Sequence, residues 1–345
     1  MGTRSSSSGA HPIDRPKQKS GRTPFEDRLT AVHQRVRSEA LRAASTDDPI
    51  IFHYTSPDGL IGILGQGQLW ATSIRHFEDK SELLHAETIY EQVLDEIEAQ
   101  HPPTSLQSRL AKACRIESRP WPPLSGPLSR GSGKRRPWLN EVLDIYVSCF
   151  STRDDLVHQW KEYARGGAGF AIGLNRRDLQ KAIQPRGTDR IESVYLAKVR
   201  YSVDAQRREL RGIFDDYCAA TSAASPSAHV NRCADEIVKA LALHSSLFKH
   251  PKFEAENEWR IIIETLPGRS DISFRSSADK VIPYLTTVKQ RSGRLPLASV
   301  TIGAAMDQEA SARGVQSFLD AKGYRGVKIS GTKVLPSLSA EHCRT

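Results

Sequence analysis

The fold is decided by residues 51–70, which read IFHYTSPDGLIGILGQGQLW. The apolar run at the start ends in a polar triplet at 53–55, and Ser56 after it is a suitable helix N-cap. Gly67 is of the type that ends a helix, and a second strand-like run follows it. The segment therefore predicts a strand, a short helix and a second strand. His53 lies at the end of the first strand, where a polar side chain can face a cleft.

The same periodicities outline one α+β domain over residues 25–335. Apolar residues at helical spacing predict helices near 25–36, 83–97, 156–163 and over much of 203–248. Runs rich in β-branched and aromatic residues predict strands near 145–151, 166–174, 258–264, 281–285, 298–303 and 326–330, with a helix between the last two. This mixture favours a mixed β-sheet with surrounding helices rather than a doubly wound parallel sheet.

Three segments are expected to lie outside the regular elements. Residues 1–24 are polar and basic, and we expect a disordered tail; residues 336–345 form a C-terminal tail. Residues 101–138 are rich in Pro, Arg and Ser and predict an insertion without regular structure. The cluster Arg130, Lys134, Arg135 and Arg136 lies there beside Trp121 and Trp138. Cations interleaved with aromatic rings suit a nucleic acid, and a solvated linker is the alternative.

Charge and cysteine content indicate the class of partner and the compartment. The 345 residues include 49 Lys plus Arg against 40 Asp plus Glu, a net charge of +9. A polyanionic partner or an Arg-rich surface would each account for this balance. The five cysteines are odd in number and lack CxxC spacing, which favours reduced thiols. The N-terminal segment has no apolar signal-peptide core. We therefore expect a cytoplasmic location and no membrane partner.

Two acidic residues close to the strand at 258–264 are the main candidates for chemistry. Glu256 and Glu258 are two residues apart, so strand alternation would point both carboxylates into one site. Such a pair can orient a substrate hydroxyl and stabilise a cationic transition state. The alternative is a polar strand edge whose acids pair with Arg260 or Lys252.

The order of motifs resembles a bacterial domain-of-unknown-function family over roughly residues 50–332. Its members look like HYTS, GLxxIL and GxLW, then an acidic turn, CFS, WxxYA, GxxxG, ExEWR and a closing VKIS-like strand. In this sequence the motifs fall at His53 to Ser56, Gly59 to Trp70, Asp79 and Glu82, Cys149 to Ser151, Trp160 to Ala164, Gly166 to Gly173, Glu256 to Arg260 and Val327 to Ser330. The resemblance implies membership but names no activity.

A second, more distant resemblance is to ADP-ribosyltransferases of the His-Tyr-Glu type. These enzymes have a strand-end histidine, then a strand and helix with aromatics that hold nicotinamide, and a catalytic glutamate on a late strand. The arginine-specific branch uses Ser-Thr-Ser and Glu-x-Glu. Here His53 and Thr55, residues 148–151 and the pair Glu256 and Glu258 stand in that order. The resemblance implies a split sheet of ADP-ribosyltransferase type and NAD as the substrate.

Roles for the candidate residues follow from this second resemblance. Cleavage of the nicotinamide–ribose bond builds positive charge on the ribose, which a carboxylate stabilises. Glu258 would supply that carboxylate, and Glu256 would orient or activate the acceptor. The residues expected to bind the riboses or to stack on nicotinamide are His53, Tyr54, Thr55, Ser151, Trp160 and Tyr163. The alternatives are a core position for Trp160 and an internal, hydrogen-bonded His53.

The sequence thus predicts an NAD-dependent ADP-ribosyltransferase-like protein that modifies a nucleic acid or a protein, in a bacterial toxin or anti-phage system. The alternative is a non-catalytic nucleotide or nucleic-acid binding module of a stress or defence system. A third possibility is a nucleic-acid-processing enzyme that uses the acids with a metal. His53, His76 and His85 with Asp79 and Glu82 are the only candidate ligands, and none has tight spacing on one element. We therefore predict no metal site.

Overall fold

The computed structural model describes residues 23–42, 48–76, 81–115, 144–183, 191–222, 226–265, 272–277, 280–286 and 293–333. The α-helices within these ranges are α1 (Pro24–Arg42), α2 (Pro57–Gln66), α3 (Ser81–Gln100), α4 (Leu106–Cys114), α5 (Val157–Tyr163), α6 (Arg176–Ala182), α7 (Val203–Ser222), α8 (Pro226–Ser245) and α9 (Gln308–Ala321). The strands are β1 (Ile50–Thr55), β2 (Trp70–Ser73), β3 (Asp144–Ser151), β4 (Phe170–Asn175), β5 (Ile191–Lys198), β6 (Glu258–Thr265), β7 (Ser273–Ser277), β8 (Lys280–Thr286), β9 (Leu297–Ile302) and β10 (Lys328–Gly331).

The ten strands form one mixed sheet that forks at β3. The main path runs β10-β9-β4-β1-β3-β2-β8-β7, and β6 lies beside β3 and β5. One edge of β3 is shared, because β1 meets it at Ser151 and β2 meets it at Tyr146 and Val147. The other edge pairs with β6 over the full strand. β9 and β10 run parallel. The prediction of an α+β fold with a mixed sheet and surrounding helices is confirmed.

The two faces of the sheet carry different helices. Val147 and Ile262 lie on the first face, in a core with side chains of α1, α3, α4, α7 and α8. Phe150 and Trp259 lie on the second face, in a core with side chains of α2, α6 and α9. Because neighbouring strand residues point to opposite faces, each residue of β3 and β6 can be assigned to one face from its position alone.

The segment at 51–70 folds as its sequence predicts. Ser56 caps α2 by accepting a hydrogen bond from the Gly59 amide at 3.1 Å. Gly67 ends the helix in the left-handed region, with φ of 65°. A Cβ atom at Gly67 would lie 2.0 Å from the Gly293 carbonyl oxygen, so both the backbone angle and the space require glycine.

The predicted insertion at 101–138 is wrong in its first part. Residues 106–114 form α4, which Ser105 caps by accepting a hydrogen bond from the Ser108 amide. Leu110 and Cys114 are fully buried in the core of the first face. The apolar spacing within the helix outweighs the Pro-rich composition around it. The rest of the insertion, with its basic cluster, lies outside the described residues, as do the tails at 1–22 and 334–345.

Two further observations concern the compartment and the membrane. None of the described helices is long and apolar enough to cross a membrane. Cys114, Cys149, Cys218 and Cys233 are free thiols, and Cys343 is outside the described residues. The cytoplasmic location stays a prediction.

Candidate functional site

Five charged side chains, which we call the charged cluster, meet at the end of β6 that bears Glu258. Lys249 Nζ donates to a carboxylate oxygen of Glu82 at 2.9 Å, of Glu256 at 2.5 Å and of Glu258 at 3.2 Å. Arg260 holds Glu258 with two bonds, Nε to Oε1 at 2.8 Å and Nη2 to Oε2 at 3.0 Å. The same Nη2 also donates to Glu82 Oε2 at 2.7 Å. The cluster therefore joins α3, the segment after α8 and β6.

A short turn before β6 brings Lys249 and Glu256 together. Residues Pro251–Glu256 form a 3-10 helix, and Asn257 follows it with a left-handed φ of 45°. β6 begins only at Glu258. The predicted reason for the convergence of the two glutamates, strand alternation, is therefore wrong. Their carboxylates meet because the left-handed residue between them reverses the backbone and Lys249 bonds to both.

The charged cluster holds one more negative than positive charge. Its three carboxylates are Glu82, Glu256 and Glu258, and its two cations are Lys249 and Arg260. Four of the five side chains are buried and Glu82 is nearly so, with exposures of 3–11%. Burial alone would raise the pKa of Glu258, but the charges of Arg260 and Lys249 outweigh it and lower that pKa to about 2. Glu258 is therefore ionised throughout the physiological pH range.

The two central carboxylates differ in how fully they are bonded. Glu258 accepts from Arg260, Lys249 and the Cys149 thiol. Glu256 uses one oxygen for Lys249, and its Oε1 lies 3.3 Å from Nε2 of His158, whose side chain is 46% exposed. Glu256 is thus the carboxylate at the solvent side of the cluster, and Glu258 is the inner one.

Cys149 and Ser151 of β3 support the cluster from the neighbouring strand. Burial raises the pKa of the Cys149 thiol well above its ordinary value, and the Glu258 charge adds to the effect. The thiol is therefore protonated at neutral pH and is not a nucleophile. Ser151 Oγ donates to the Glu256 backbone carbonyl at 2.9 Å and accepts from the Arg153 amide. The serine predicted to bind NAD thus fixes the backbone of the turn before β6.

Of the three predicted aromatic residues, only Tyr163 is accessible. Trp160 is 4% exposed, and its Nε1 donates to Asp155 Oδ1 at 2.8 Å. Tyr54 packs edge-on against Trp160, and its hydroxyl donates to the Arg153 carbonyl. These two rings therefore occupy core positions. The Tyr163 side chain is 53% exposed. Burial of its hydroxyl raises the Tyr163 pKa, and the negative charges of Glu258 and Glu256 in the cluster add to the shift.

His53 and Thr55 lie on the opposite face of the sheet from Glu258. Ser151 is paired with Phe52 on one side and with Glu258 on the other, so these three side chains share the first face. His53 is next to Phe52 and points to the second face, where its ring contacts Phe150 with centroids 5.6 Å apart. The structure therefore does not bring His53 and Thr55 together with Glu258. The backbones of β1 and β6 are about 10 Å apart, with β3 between them.

His53 is held as a neutral imidazole on that second face. Its Nδ1 lies 2.9 Å from the Cys149 carbonyl oxygen, which can only accept, so Nδ1 carries the proton. Burial lowers the His53 pKa, and the charge of Arg275 lowers it further. Thr55 packs against the first turn of α2, because a Cβ atom at Gly59 would lie 1.9 Å from Thr55 Oγ1. This matches the alternative of an internal histidine.

Lys249 and His158 are site residues that the sequence analysis did not identify. A lysine seven residues before an acid, or a histidine at the start of a helix, has no pattern that marks it. Glu82 appeared as a member of the acidic turn and as a candidate metal ligand, not as a partner of the two glutamates. Among the described residues, no group of three or more His, Cys, Asp and Glu side chains could hold a metal ion.

Comparison with known proteins gives one match. The model of the family described as "Protein of unknown function (DUF2971)" matches residues 159–261, less than a third of the chain. That span contains Trp160, Tyr163, Lys249 and the Glu256–Arg260 motif. The expected domain of unknown function is thereby found for this part of the chain. No protein with curated annotation and no solved structure matches.

Proposed function

We propose that the protein is an NAD-consuming, ADP-ribosyltransferase-like enzyme that modifies a macromolecule. The observation that supports this best is the excess negative charge of the charged cluster, in which Glu256 is the carboxylate in contact with the half-exposed His158. The nicotinamide ring of NAD carries a positive charge, and bond cleavage moves that charge to the ribose. A carboxylate that is already ionised and fixed in place stabilises such a transition state without reorganisation.

The two glutamates take different roles in this proposal from those that the resemblance implies. Glu258 accepts two hydrogen bonds from Arg260 and one from Lys249, and it belongs to the strand itself. It acts as the inner anchor of Lys249. Glu256 would be the carboxylate that faces the ribose, since its Oε1 lies on the side of the exposed His158.

Tyr163 is the remaining candidate for contact with nicotinamide. The residue is about half-exposed, while shielding of its hydroxyl from water raises the Tyr163 pKa and the charges of Glu258 and Glu256 add to the shift. An exposed aromatic ring beside a carboxylate suits a flat cationic ring. His53 and Thr55 lie on the second face, so they would not contact the riboses of an NAD molecule bound beside Glu256.

The acceptor is proposed to be a nucleic acid or a protein, in a bacterial toxin or anti-phage system. The net charge of +9 suits a nucleic acid. The basic segment around residues 130–136 lies outside the described residues, and its role in guiding a nucleic acid stays a prediction.

A non-catalytic nucleotide or nucleic-acid binding module is the second candidate. The observation that favours it is the pairing of the charged side chains with one another: Arg260 and Lys249 both bond to Glu258 and to Glu82. Such pairing can hold a pocket in shape without any bond cleavage. In that case the protein would bind NAD or a related nucleotide and leave it intact.

Incubation with NAD labelled in the adenylate phosphate separates the two candidates. We expect the wild-type protein to release nicotinamide and to transfer label to a nucleic-acid or protein acceptor without added magnesium. Glu256→Gln keeps the shape of the side chain and should reduce the rate about 10²–10⁴-fold, roughly 3–5 kcal/mol. Glu254→Gln changes an exposed acid on the same turn and should leave the rate unchanged.

The outcomes of this experiment are distinct. Binding of intact NAD without turnover by the wild-type protein supports the binding module. Magnesium-dependent cleavage of the nucleic acid supports a processing enzyme. Wild-type turnover by Glu256→Gln would refute the assignment of this carboxylate.

A further inference from the structure

His158 lies where a proton acceptor for a second substrate would lie. It belongs to the first turn of α5, and its side chain is 46% exposed while the neighbouring Glu256 side chain is 7% exposed. Nε2 is 3.3 Å from Glu256 Oε1 and 3.4 Å from the side-chain nitrogen of Gln159. One ring nitrogen therefore faces the buried carboxylate, and the rest of the ring faces solvent.

The protonation of the ring follows from these partners. A carboxylate only accepts, so a hydrogen bond to Glu256 requires the proton on Nε2; the Gln159 side-chain amide then turns its oxygen toward that N–H, because an amide nitrogen cannot accept. The neutral ring then has its lone pair on Nδ1, for which the described residues provide no partner. This matches the geometry in which a carboxylate orients a histidine base.

We propose that His158 is the general base of the transfer reaction and that the acceptor is therefore a neutral O–H or N–H group of a macromolecule. This inference rests on the proposed function. In the step, Nδ1 takes the proton of the acceptor while the acceptor oxygen or nitrogen bonds to the ribose C1′ of NAD. The bond from C1′ to nicotinamide breaks, and its electron pair neutralises the pyridinium ring. The products are modified acceptor, nicotinamide and the imidazolium of His158, which releases the proton to water.

An acceptor that is already an anion would not need this group. A carboxylate or a phosphate has no proton to lose at neutral pH, so its reaction would proceed equally well without His158. A hydroxyl or an amino group becomes a good nucleophile only as its proton leaves. The position of His158 thus indicates an acceptor that is a hydroxyl or an amino group.

The test uses the full-length His158→Ala protein with labelled NAD and an acceptor that the wild-type protein modifies. Transfer should fall about 10²–10⁴-fold, while the affinity for NAD, measured by calorimetry, stays within about twofold of the wild-type value. Imidazole added to the buffer should raise the transfer rate of the variant at least about tenfold, because the position left by the His158 ring is open to solvent. Lys161→Gln, an exposed change on the same helix, should transfer label at the wild-type rate with no response to imidazole.

Two results would overturn the inference while leaving the proposed function in place. One is transfer at the wild-type rate by His158→Ala. The other is a slow variant with normal NAD affinity that imidazole does not rescue, since that result assigns the histidine a structural role. If the wild-type protein itself cleaves no NAD, the proposed function fails, and the inference fails with it.

Discussion

The charged cluster should contribute to the free energy of unfolding whether or not the protein cleaves NAD. Glu258→Gln removes the inner carboxylate while keeping its size, and it leaves Arg260 with Glu82 and Lys249 with Glu82 and Glu256. The folded protein lowers the Glu258 pKa from 4.5 to about 2. A shift of that size corresponds to about 3 kcal/mol of folding free energy at neutral pH. Both cations keep a carboxylate partner in the variant, so no buried charge is left uncompensated and the loss should not exceed this value.

The pH dependence has a definite sign. The folded-state pKa is lower than the unfolded-state pKa, so the stabilisation is fully present above pH 4.5 and is lost as the pH falls toward 2. The unfolding free energy of the wild-type protein should therefore exceed that of Glu258→Gln by about 3 kcal/mol at pH 7 and by about half as much at pH 3. The difference between the two proteins isolates this carboxyl group from the others that titrate in acid.

Urea unfolding monitored by tryptophan fluorescence provides the assay, since Trp259 beside Glu258 is fully buried. The measurement is made at pH 7 and pH 3 on the wild-type protein, Glu258→Gln and the matched Glu254→Gln. Glu254 is exposed, and its replacement should change the unfolding free energy by less than about 0.5 kcal/mol. Equal unfolding free energies for the wild-type protein and Glu258→Gln, or a difference independent of pH, would refute the account of the cluster.

Further predictions concern the fold and the basic segment. Leu110→Ala should lower the unfolding free energy by about 2–5 kcal/mol, because this residue of α4 is fully buried. An unchanged unfolding free energy in urea would show that α4 does not pack in the core. Gly303→Ala should lower the unfolding free energy by about 1–3 kcal/mol, since its Cβ would lie 2.2 Å from the Gly167 oxygen. Gly314→Ala should raise the unfolding free energy by about 0.5–1 kcal/mol in the same measurement, because its Cβ meets nothing within 4 Å. Replacing residues 134–136 by alanine should reduce the salt dependence of nucleic-acid binding while NAD binding stays intact; an unchanged slope would assign them to ordinary surface.

Local sequence signals predicted most of the regular elements. Ser56 and Gly67 frame α2 as their residue types indicate, and the β-branched run after Glu258 forms the fully buried strand β6. Such signals act within a few residues along the chain, so they can be identified without the tertiary fold. α4 was missed because short apolar helical spacing is hard to recognise among prolines. Residues 191–198 and 273–277, which form β5 and β7, lack a clear run of alternating apolar residues bounded by turn residues.

The candidate site could be predicted only in part. Glu256 and Glu258 were identified as a pair, but the left-handed Asn257 that joins them has no marker in the sequence. The partition of His53 and Glu258 between the two faces depends on the register of β1 against β3. A register between strands about 95 residues apart is fixed by tertiary packing, and a shift of one residue would reverse the face. Local motifs therefore named the residues without showing which of them meet.

The central claim is that NAD is bound and cleaved on the first face of the sheet, beside Glu256. A structure of the Glu256→Gln protein with NAD tests it most directly, because the variant should retain the intact dinucleotide. The account predicts the nicotinamide ring against Tyr163 and a ribose hydroxyl within hydrogen-bond distance of residue 256. Intact NAD on the second face, in contact with His53, or no bound NAD at millimolar concentration, would contradict it.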